Sequence, residues 1–226
     1  MDVLHAMALE GAAGGTAVVA REQTGGRGSR GRPWASPSGG LWLSVLRRPE
    51  TAAGLDLLSL RTGLAVSQAL LELAPRASFR LKWPNDLMLG DRKVGGILCE
   101  ARWQGDALGW IVIGLGLNVT NELPEELRDV ADTLGPTLPG RSAAELAEPL
   151  ADVIRKIDAR SSTLGPDEVE RFSELDWTYG RVVHHPVAGI ADGIDPDGAL
   201  LVRLPDGPRV AVKVGLVELA HSSMRA

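Results

Sequence analysis

The chain has 226 residues and is 44% hydrophobic, which suits one folded domain, or one large domain with a small appendage, and argues against intrinsic disorder. Its net charge of −5 argues against general nucleic-acid binding, and no apolar run reaches the roughly 18 residues of a membrane-spanning helix. The one cysteine, Cys99, cannot form an internal disulfide, so the sequence predicts a reducing, cytoplasmic setting.

Hydrophobic periodicity in the first three quarters of the chain predicts an α/β domain at residues 1–178. In chain order it indicates a helix at 2–10, strands at 16–21 and 41–46, a helix at 55–73, strands at 79–83, 87–89, 94–101 and 110–119, and helices at 142–159 and 166–175. The strand at 110–119 is nearly all apolar, which predicts a central place in the sheet. Ser142 with Glu145 three residues later is a capping box for the helix that follows.

Residues 179–226 have a different texture. Short apolar runs at 182–183, 187–190, 200–204, 210–214 and 217–219 are separated by Asp-Pro-Asp-Gly and Pro-Asp-Gly-Pro turns. This pattern predicts a small antiparallel barrel or sheet, too small to be a dependable fold alone and therefore docked on the main domain.

A glycine-rich loop at residues 22–34 contains Gly-Arg-Gly-Ser-Arg-Gly, which matches the dinucleotide-binding fingerprint. That fingerprint requires a helix to begin within the loop, and Pro33 and Pro37 prevent one, so the Rossmann interpretation is rejected. Three arginines remain, whose forked donors suit phosphate and carboxylate oxygens: Arg27, Arg30 and Arg32. The alternative is a solvated basic loop.

A second polar cluster, Lys82-Trp-Pro-Asn85-Asp86 with Lys93, lies where strands are predicted to end and begin. Both lysines can project from one sheet edge, and Asp86 can reach a Mg²⁺ ion that bridges phosphate oxygens. Lysine acts as a compact point charge on phosphate or carboxylate. The alternative is a surface hairpin with a few charges.

Glycine pairs interrupt two predicted strands. Gly95 and Gly96 lie in one, Gly114 and Gly116 in the next, and glycine inside a strand marks close approach by backbone or ligand. Tight strand packing explains either pair alone, but two pairs in neighbouring strands predict a narrow apolar slot.

These motifs, with Ile111–Asn118 and the segment at 189–198, make the chain resemble a biotin protein ligase (biotin–[acetyl-CoA-carboxylase] ligase) of the short form that lacks an N-terminal DNA-binding domain. The resemblance covers most of the chain in register. It implies a mixed-sheet α/β (α+β) catalytic domain, like class II synthetases or SH2 domains, at 1–178, and a small SH3-like β-barrel at 179–226. No repressor role is expected.

The resemblance also implies a two-step reaction. Biotin and MgATP give biotinyl-5′-adenylate and pyrophosphate, and a lysine of a biotin carboxyl carrier domain then takes the biotin. The expected substrates and cofactors are biotin, ATP and Mg²⁺. The expected partner is the carrier domain of a biotin-dependent carboxylase, with no nucleic acid, no membrane, and a monomer or homodimer as the assembly.

Roles carried over by resemblance form three overlapping sets. The catalytic residues are expected to be Lys93, Asp86 and Arg27, with Asp86 as the Mg²⁺ ligand. Biotin is expected to contact Gln23, Thr24, Gly26, Arg27, Gly28, Ser29, Trp34, Lys93, Gly96 and Leu98. ATP is expected to contact Arg27, Arg30, Arg32, Lys82, Asn85, Asp86 and Asn118.

The chain departs from the family pattern at two places. Ser29 stands where several relatives have an arginine that helps retain the adenylate. Met1 takes the place of the residue after a family Ser-Thr pair that contacts the biotin ureido ring, so either the native start lies upstream or part of the biotin site is missing. Two alternatives stay open: a lipoate or octanoate ligase or transferase of the same fold, and a non-catalytic biotin-binding sensor.

Overall fold

The computed structural model describes residues 1–213 and the two-residue strand Glu218–Leu219, which together form two sheets and four α-helices. Within those residues no helix is long and apolar enough to cross a membrane. The predicted α/β fold class, with a small C-terminal β-sheet, is confirmed.

The larger sheet has six strands in the order β1-β2-β6-β5-β4-β3, and each neighbouring pair is antiparallel. Its strands are β1 Ala17–Ala20, β2 Leu41–Arg47, β3 Phe79–Lys82, β4 Asp86–Leu89, β5 Arg92–Gln104 and β6 Ala107–Leu117. Parallel pairing occurs as isolated bridges, Leu81 with Asp176 and Lys93 with Ala131. Strand β6 lies in the interior of the sheet, as its continuous apolar sequence predicts.

The helices cover both faces of this sheet. They are α1 Asp2–Leu9, α2 Leu58–Leu73, α3 Ala143–Arg155 and α4 Pro166–Leu175. Alternate side chains of β2 divide between the two faces. Leu43 and Val45 join the main core with α2 and α3, whereas Leu46 packs with Leu4 of α1 and with Trp110.

Several element boundaries differ from the predicted ones, and three of the differences have a clear local cause. The helix predicted to reach residue 159 ends at Arg155, where Arg47 donates to the carbonyls of Ile154 and Ile157 and so satisfies the end of the helix. The first turn of the helix predicted at 55–73 is a 3₁₀ turn. Strand β5 is longer than predicted because it forms a tight hairpin with β6 through Gly105, whose φ is +61°.

The smaller sheet follows residue 181 and has five strands in the order β10-β9-β8-β7-β11. They are β7 Val182–His185, β8 Gly189–Ile194, β9 Leu200–Arg203, β10 Arg209–Val212 and β11 Glu218–Leu219. The predicted antiparallel arrangement is confirmed for these strands, while residues 214 and 217 of the predicted runs lie outside the described residues.

The smaller sheet is docked on the larger domain, as predicted. Trp83 donates its indole N–H to the carbonyl of Gly198 at 2.9 Å. Gly198 has φ +78°, and a Cβ there would come within 2.5 Å of Leu57, so this turn fits closely against the start of α2. Buried residues of the small sheet belong to the main hydrophobic core, among them Val183, Ala191, Leu200 and Val202. The domain division at residue 178 stays a prediction.

Candidate active site

Three glycines lie on one face of the larger sheet, in the region where β2, β6 and β5 are neighbours. Gly96 of β5 is opposite Gly116 of β6. Gly114 lies two residues before Gly116 on β6 and is opposite Leu98. Cross-strand partners point to the same face, so Gly96, Gly114 and Gly116 form a continuous surface without side chains. This surface is called the glycine floor below.

The side chains of Trp34 and Met1 lie directly on the glycine floor. A Cβ at Gly116 would be 3.1 Å from Trp34 Nε1, one at Gly96 would be 3.5 Å from the same indole, and one at Gly114 would be 2.8 Å from Met1 Sδ. The close approach that the glycines predict is therefore present. Trp34 Nε1 is buried and has no hydrogen-bond partner among the described residues, so it is a donor available to a bound molecule.

Lys93 and Asp86 form an ion pair at one end of the glycine floor. Lys93 Nζ lies 2.6 Å from Asp86 Oδ1 and 4.8 Å from the centre of the Trp34 ring. The two side chains are 30% and 19% exposed, so both groups can reach a bound molecule. The structure thus brings together three residues that the sequence placed in one site.

Lys82 lies beside this pair at the end of β3, with its Cα opposite that of Asp86. Burial lowers the pKa of the Lys82 ammonium, and the neighbouring Asp86 carboxylate works against that shift. Lys93, Arg181 and Arg32 lower it further by repulsion. Several cations therefore converge on one partly buried region, which favours an anionic ligand.

The two predicted asparagines are both engaged in fixing backbone. The side-chain amide of Asn85 donates to the backbone carbonyl of Ile97 at 2.7 Å. The backbone carbonyl of Asn85 accepts from Ile97 N–H. Asn118 is buried where β6 ends, its N–H donates to Val94, and its amide oxygen accepts from Asn121 at 3.3 Å. Both lie at the Lys93 end of the glycine floor, but their visible role is to hold the ends of β4, β5 and β6.

The start of the glycine-rich loop is folded tightly under Trp34. Gln23 donates to Ser36 Oγ at 2.8 Å, and Ser36 Oγ donates in turn to the carbonyl of Trp34. A Cβ at Gly26 would meet both Ser36 Oγ and the Trp34 carbonyl at 2.4 Å, which explains the need for glycine there. Thr24, by contrast, is exposed.

The loop closes as a narrow hairpin in which Arg27 pairs with Pro33 and Gly28 N–H donates to the carbonyl of Arg32. Its tip, Ser29–Gly31, is a single 3₁₀ turn, so the loop begins no α-helix. Arg30 has φ +61°, a left-handed conformation that costs a non-glycine residue about 1–2 kcal/mol. Arg30 and Arg32 are exposed at the tip.

Arg27 is held by two carboxylates that the sequence did not connect with it. Its guanidinium donates to both oxygens of Asp2 (2.8 and 2.6 Å) and both of Glu100 (2.9 and 3.0 Å). The hydrogen bonds to Asp2 raise the pKa of Arg27 most, and those to Glu100 raise it further. In return, Arg27 lowers the pKa of Glu100. Four of its five N–H groups are used, so one remains for a ligand.

The network around Glu100 continues into the core beneath α1. His5 Nε2 lies 2.9 Å from Glu100 Oε2, and Trp110 donates its indole N–H to His5 Nδ1 at 3.0 Å. Since Trp110 can only donate, His5 Nδ1 accepts, and the imidazole proton lies on Nε2 facing Glu100. Residues 96, 98 and 100 are spaced two apart on β5, so Glu100 lies on the same face as Gly96 and Leu98. This alternation is the sequence signal that could have identified Glu100 as a site residue.

Ser44 is a second polar residue on this face that no sequence motif indicates. It is buried on β2 opposite Gly114, so it shares the face of the glycine floor. A hydroxyl in this position can bind a polar ligand. Only the register of β2 against β6 places it here.

The described residues contain no group of three or more histidine, cysteine, aspartate or glutamate side chains that could hold a metal ion. Asp86 therefore stands as a single candidate carboxylate. Such a site suits an ion carried mainly by a ligand's own oxygens.

Family models match both parts of the chain. The model described as "Biotin/lipoate A/B protein ligase family" matches residues 2–118, and "Biotin protein ligase C terminal domain" matches residues 181–219. The first match contains the glycine-rich loop, the glycine floor and the Lys93–Asp86 pair.

Three similar proteins illustrate the range of relatives. The bifunctional ligase/repressor BirA of Bacillus subtilis is 38% identical over 135 residues, covering 58% of this chain and 41% of that protein. The biotin–[acetyl-CoA-carboxylase] ligase of Paracoccus denitrificans is 32% identical, covering 92% and 94%. The solved structure of the biotin protein ligase from Aquifex aeolicus in complex with biotin and ATP has a TM-score of 0.76 at 29% identity, covering 96% and 94%. The chain thus spans less than half of the Bacillus protein's length.

Proposed function

Because the chain belongs to the biotin/lipoate A/B protein ligase family, we propose that it is an ATP-dependent biotin protein ligase, a biotin–[acetyl-CoA-carboxylase] ligase. The observation that carries this proposal is the Lys93–Asp86 pair at the end of the glycine floor, beside Lys82. An apolar surface that ends in cations suits a molecule with an apolar tail and an anionic end, and biotin is such a molecule.

In the first step, a carboxylate oxygen of biotin attacks the α-phosphorus of ATP. A new phosphorus–oxygen bond gives biotinyl-5′-adenylate, and the bond to the bridging oxygen breaks, so that pyrophosphate leaves. Lys93 neutralises the negative charge that two anions bring together, which is electrostatic stabilisation by a group already in place. Arg30, Arg32 and Lys82 would bind the leaving pyrophosphate and the remaining nucleotide charge.

Mg²⁺ fits this site as an ion bound mainly by the nucleotide phosphates. The ion commonly keeps several waters and binds one or two carboxylates plus substrate phosphates. Asp86 supplies one carboxylate, and the described residues offer no group of three or more acidic, histidine or cysteine side chains. We therefore assign Mg²⁺ to the nucleotide phosphates with Asp86 as its protein ligand. When bound, the ion would neutralise phosphate charge.

The biotin tail would lie along the glycine floor between Trp34 and Leu98, and Trp34 and Met1, which occupy the floor in this structure, would move aside to admit it. The polar ureido ring then needs hydrogen-bond partners, because an unsatisfied buried group costs about 1–3 kcal/mol. Ser44, opposite Gly114, and the Gln23–Ser36 pair are polar groups that could serve it. Trp34 and the loop would exclude water from the anhydride, which water would otherwise hydrolyse.

In the second step, the ε-amine of a carrier-domain lysine attacks the carbonyl carbon of the anhydride. An amide bond forms, the carbon–oxygen bond to phosphate breaks, AMP leaves, and the amine loses a proton to solvent. The partner is thus a biotin carboxyl carrier domain. A cytoplasmic location, no nucleic-acid partner, and a monomeric or homodimeric state stay predictions.

A lipoate or octanoate ligase or transferase is the closest alternative, because the family description covers lipoate as well. The match of residues 181–219 to a biotin protein ligase C-terminal domain favours biotin. A non-catalytic sensor is disfavoured by the Lys93–Asp86 pair, since retaining biotin alone requires no such pair.

The test is ATP–pyrophosphate exchange by the purified chain with biotin, lipoate or octanoate as the acid. We expect exchange that depends on biotin, followed by transfer of biotin to a carrier domain when one is added. Exchange with lipoate or octanoate in place of biotin would support the alternative. Biotin binding without any exchange would support the sensor.

A further inference from the structure

The segment of residues 176–181, called the linker below, connects α4 to the small sheet and runs alongside Lys82. Asp176 forms a parallel bridge with Leu81, and Trp177 N–H donates to the carbonyl of Leu81 at 2.9 Å. Trp83, two residues after Leu81, donates its backbone N–H to Thr178 Oγ1 at 3.0 Å. The linker therefore fixes the backbone on both sides of Lys82.

The indole of Trp177 is the side chain that meets the Lys82 ammonium. Lys82 Nζ lies 5.3 Å from the centre of the Trp177 ring, and the Arg181 guanidinium lies 3.4 Å from it. Trp177 Nε1 donates to Asp91 Oδ1 at 2.9 Å, and Arg181 donates to the same oxygen at 2.7 Å. Asp91 lies in the turn between β4 and β5, so the indole is oriented from two sides.

This arrangement matters because a lysine side chain has four rotatable bonds and little orientation of its own. Within the described residues, no carboxylate lies within 4.0 Å of Lys82 Nζ, unlike Lys93, which has Asp86. Burial also disfavours the charged form of Lys82. The face of an indole attracts an ammonium within about 6 Å, and more strongly when the pair is shielded from water.

We propose that Trp177 is a positioning residue for the nucleotide: through its indole face it holds the Lys82 ammonium toward the ATP phosphates, and Asp91 and Arg181 fix the indole. By this contact the linker raises the affinity for ATP. The proposal rests on the proposed function, because it takes Lys82 as a phosphate contact.

The experiment compares MgATP binding by calorimetry for the full chain and for Trp177→Leu and Trp177→Phe. Leucine keeps apolar bulk without a π face, whereas phenylalanine keeps a π face. We expect Trp177→Leu to weaken MgATP binding about 5- to 20-fold and Trp177→Phe about 2- to 4-fold. Biotin binding should change less than about twofold. Trp103→Leu, at an indole that is 53% exposed on β5, is the matched control and should leave both affinities unchanged.

A double variant separates positioning from general damage. If Trp177 acts through Lys82, then Trp177→Leu should have no further effect on MgATP affinity once Lys82 is replaced by methionine. An undiminished effect in the Lys82→Met background, wild-type affinity in Trp177→Leu, or equal loss of biotin and MgATP binding would each overturn the proposal.

The outcome is independent of catalysis. If the chain binds MgATP but shows no biotin-dependent exchange, the proposed ligase function fails, and the comparison of variants still decides the role of Trp177. If the wild-type chain does not bind MgATP, both proposals fail together.

Discussion

The Lys93 ammonium contributes to the site by its charge rather than by packing, because the side chain is 30% exposed and contacts a carboxylate and an indole. Lys213 offers a comparison, since it is also paired with a carboxylate, that of Asp197, but lies on the small sheet. The same residue type therefore occurs once beside the glycine floor and once on an ordinary surface.

Lys93→Ala should lower the rate of biotin-dependent pyrophosphate exchange on the order of 10²–10³-fold, because it removes a well-placed electrostatic donor. Exposed ion pairs contribute about 0–1 kcal/mol, so the melting temperature should stay within about 4 °C of wild type. Lys213→Ala is the control and should retain full activity. Exchange near the wild-type rate in Lys93→Ala would remove the residue from its assigned role.

Ser29 lies at the loop tip beside Arg30, and its own side chain carries no forked donor. Ser29→Arg should slow release of biotinyl-5′-adenylate by at least about tenfold, because a charge-assisted hydrogen bond to its phosphate adds about 1.5–3 kcal/mol. A chase with unlabelled biotin measures the half-life. Ser29→Lys adds charge without the planar fork and should give a smaller gain; equal half-lives in all three proteins would contradict the prediction.

At the scale of elements, the glycine-rich loop is attached to α1 and β5 through one guanidinium. Arg27 binds Asp2 of α1 and Glu100 of β5, whereas Arg30 and Arg32 extend into solvent beyond this anchor. The loop is thus fixed at its base and exposed at its tip. Ordering of the tip is expected to require a ligand that neutralises its charges.

Glu100→Gln should loosen the loop, because a neutral amide has one acceptor oxygen and no negative charge, whereas the carboxylate accepts two charge-assisted hydrogen bonds from Arg27. Tryptic cleavage after Arg30 should become faster in the variant, and biotin with MgATP should slow it in the wild type. Glu126→Gln, at an exposed position in another loop, is the control. Cleavage that is unaffected by both the substitution and the ligands would refute this account.

Much of this organisation could be predicted from local pattern. Period-two and helical spacing identified the strands and helices, and the glycines of β5 and β6 indicated close approach to the sheet. The attachment of Arg27 could not be predicted, because Asp2 and Glu100 lie 25 and 73 residues away and only the folded sheet unites them. The place of Ser44 depends likewise on the register of β2 against β6.

At the scale of the whole molecule, the linker between the two sheets contains a buried carboxylate. Asp176 is 4% exposed, its Oδ1 accepts from Thr178 and Tyr179 N–H, and its Oδ2 has no partner among the described residues. Burial raises the pKa of Asp176 to about 6, and the two backbone bonds oppose that shift. The unfolded chain, with an ordinary carboxyl, loses this proton at lower pH.

Asp176 should therefore make the folded state less stable as the pH rises from about 4 to 6, since the unfolded state binds fewer protons over that window. Asp176→Asn removes the titration. Urea titrations give the free energy of unfolding of each protein. The value for the wild type minus the value for Asp176→Asn should fall by on the order of 2 kcal/mol as the pH rises across this window, and should stay constant above it. Parallel profiles for the two proteins would show that the carboxylate ionises normally in the fold.

The indole of Trp34 has an optical consequence. It lies on the glycine floor with the Lys93 ammonium 4.8 Å from its ring centre, in the region where the biotin tail is proposed to lie. Its emission should respond when a bound carboxylate attracts that ammonium and apolar atoms replace water. Titration with biotin should thus change the intrinsic fluorescence of the wild type but not of Trp34→Phe. The protein would then report its own occupancy, without a label, in the same sample used for kinetics.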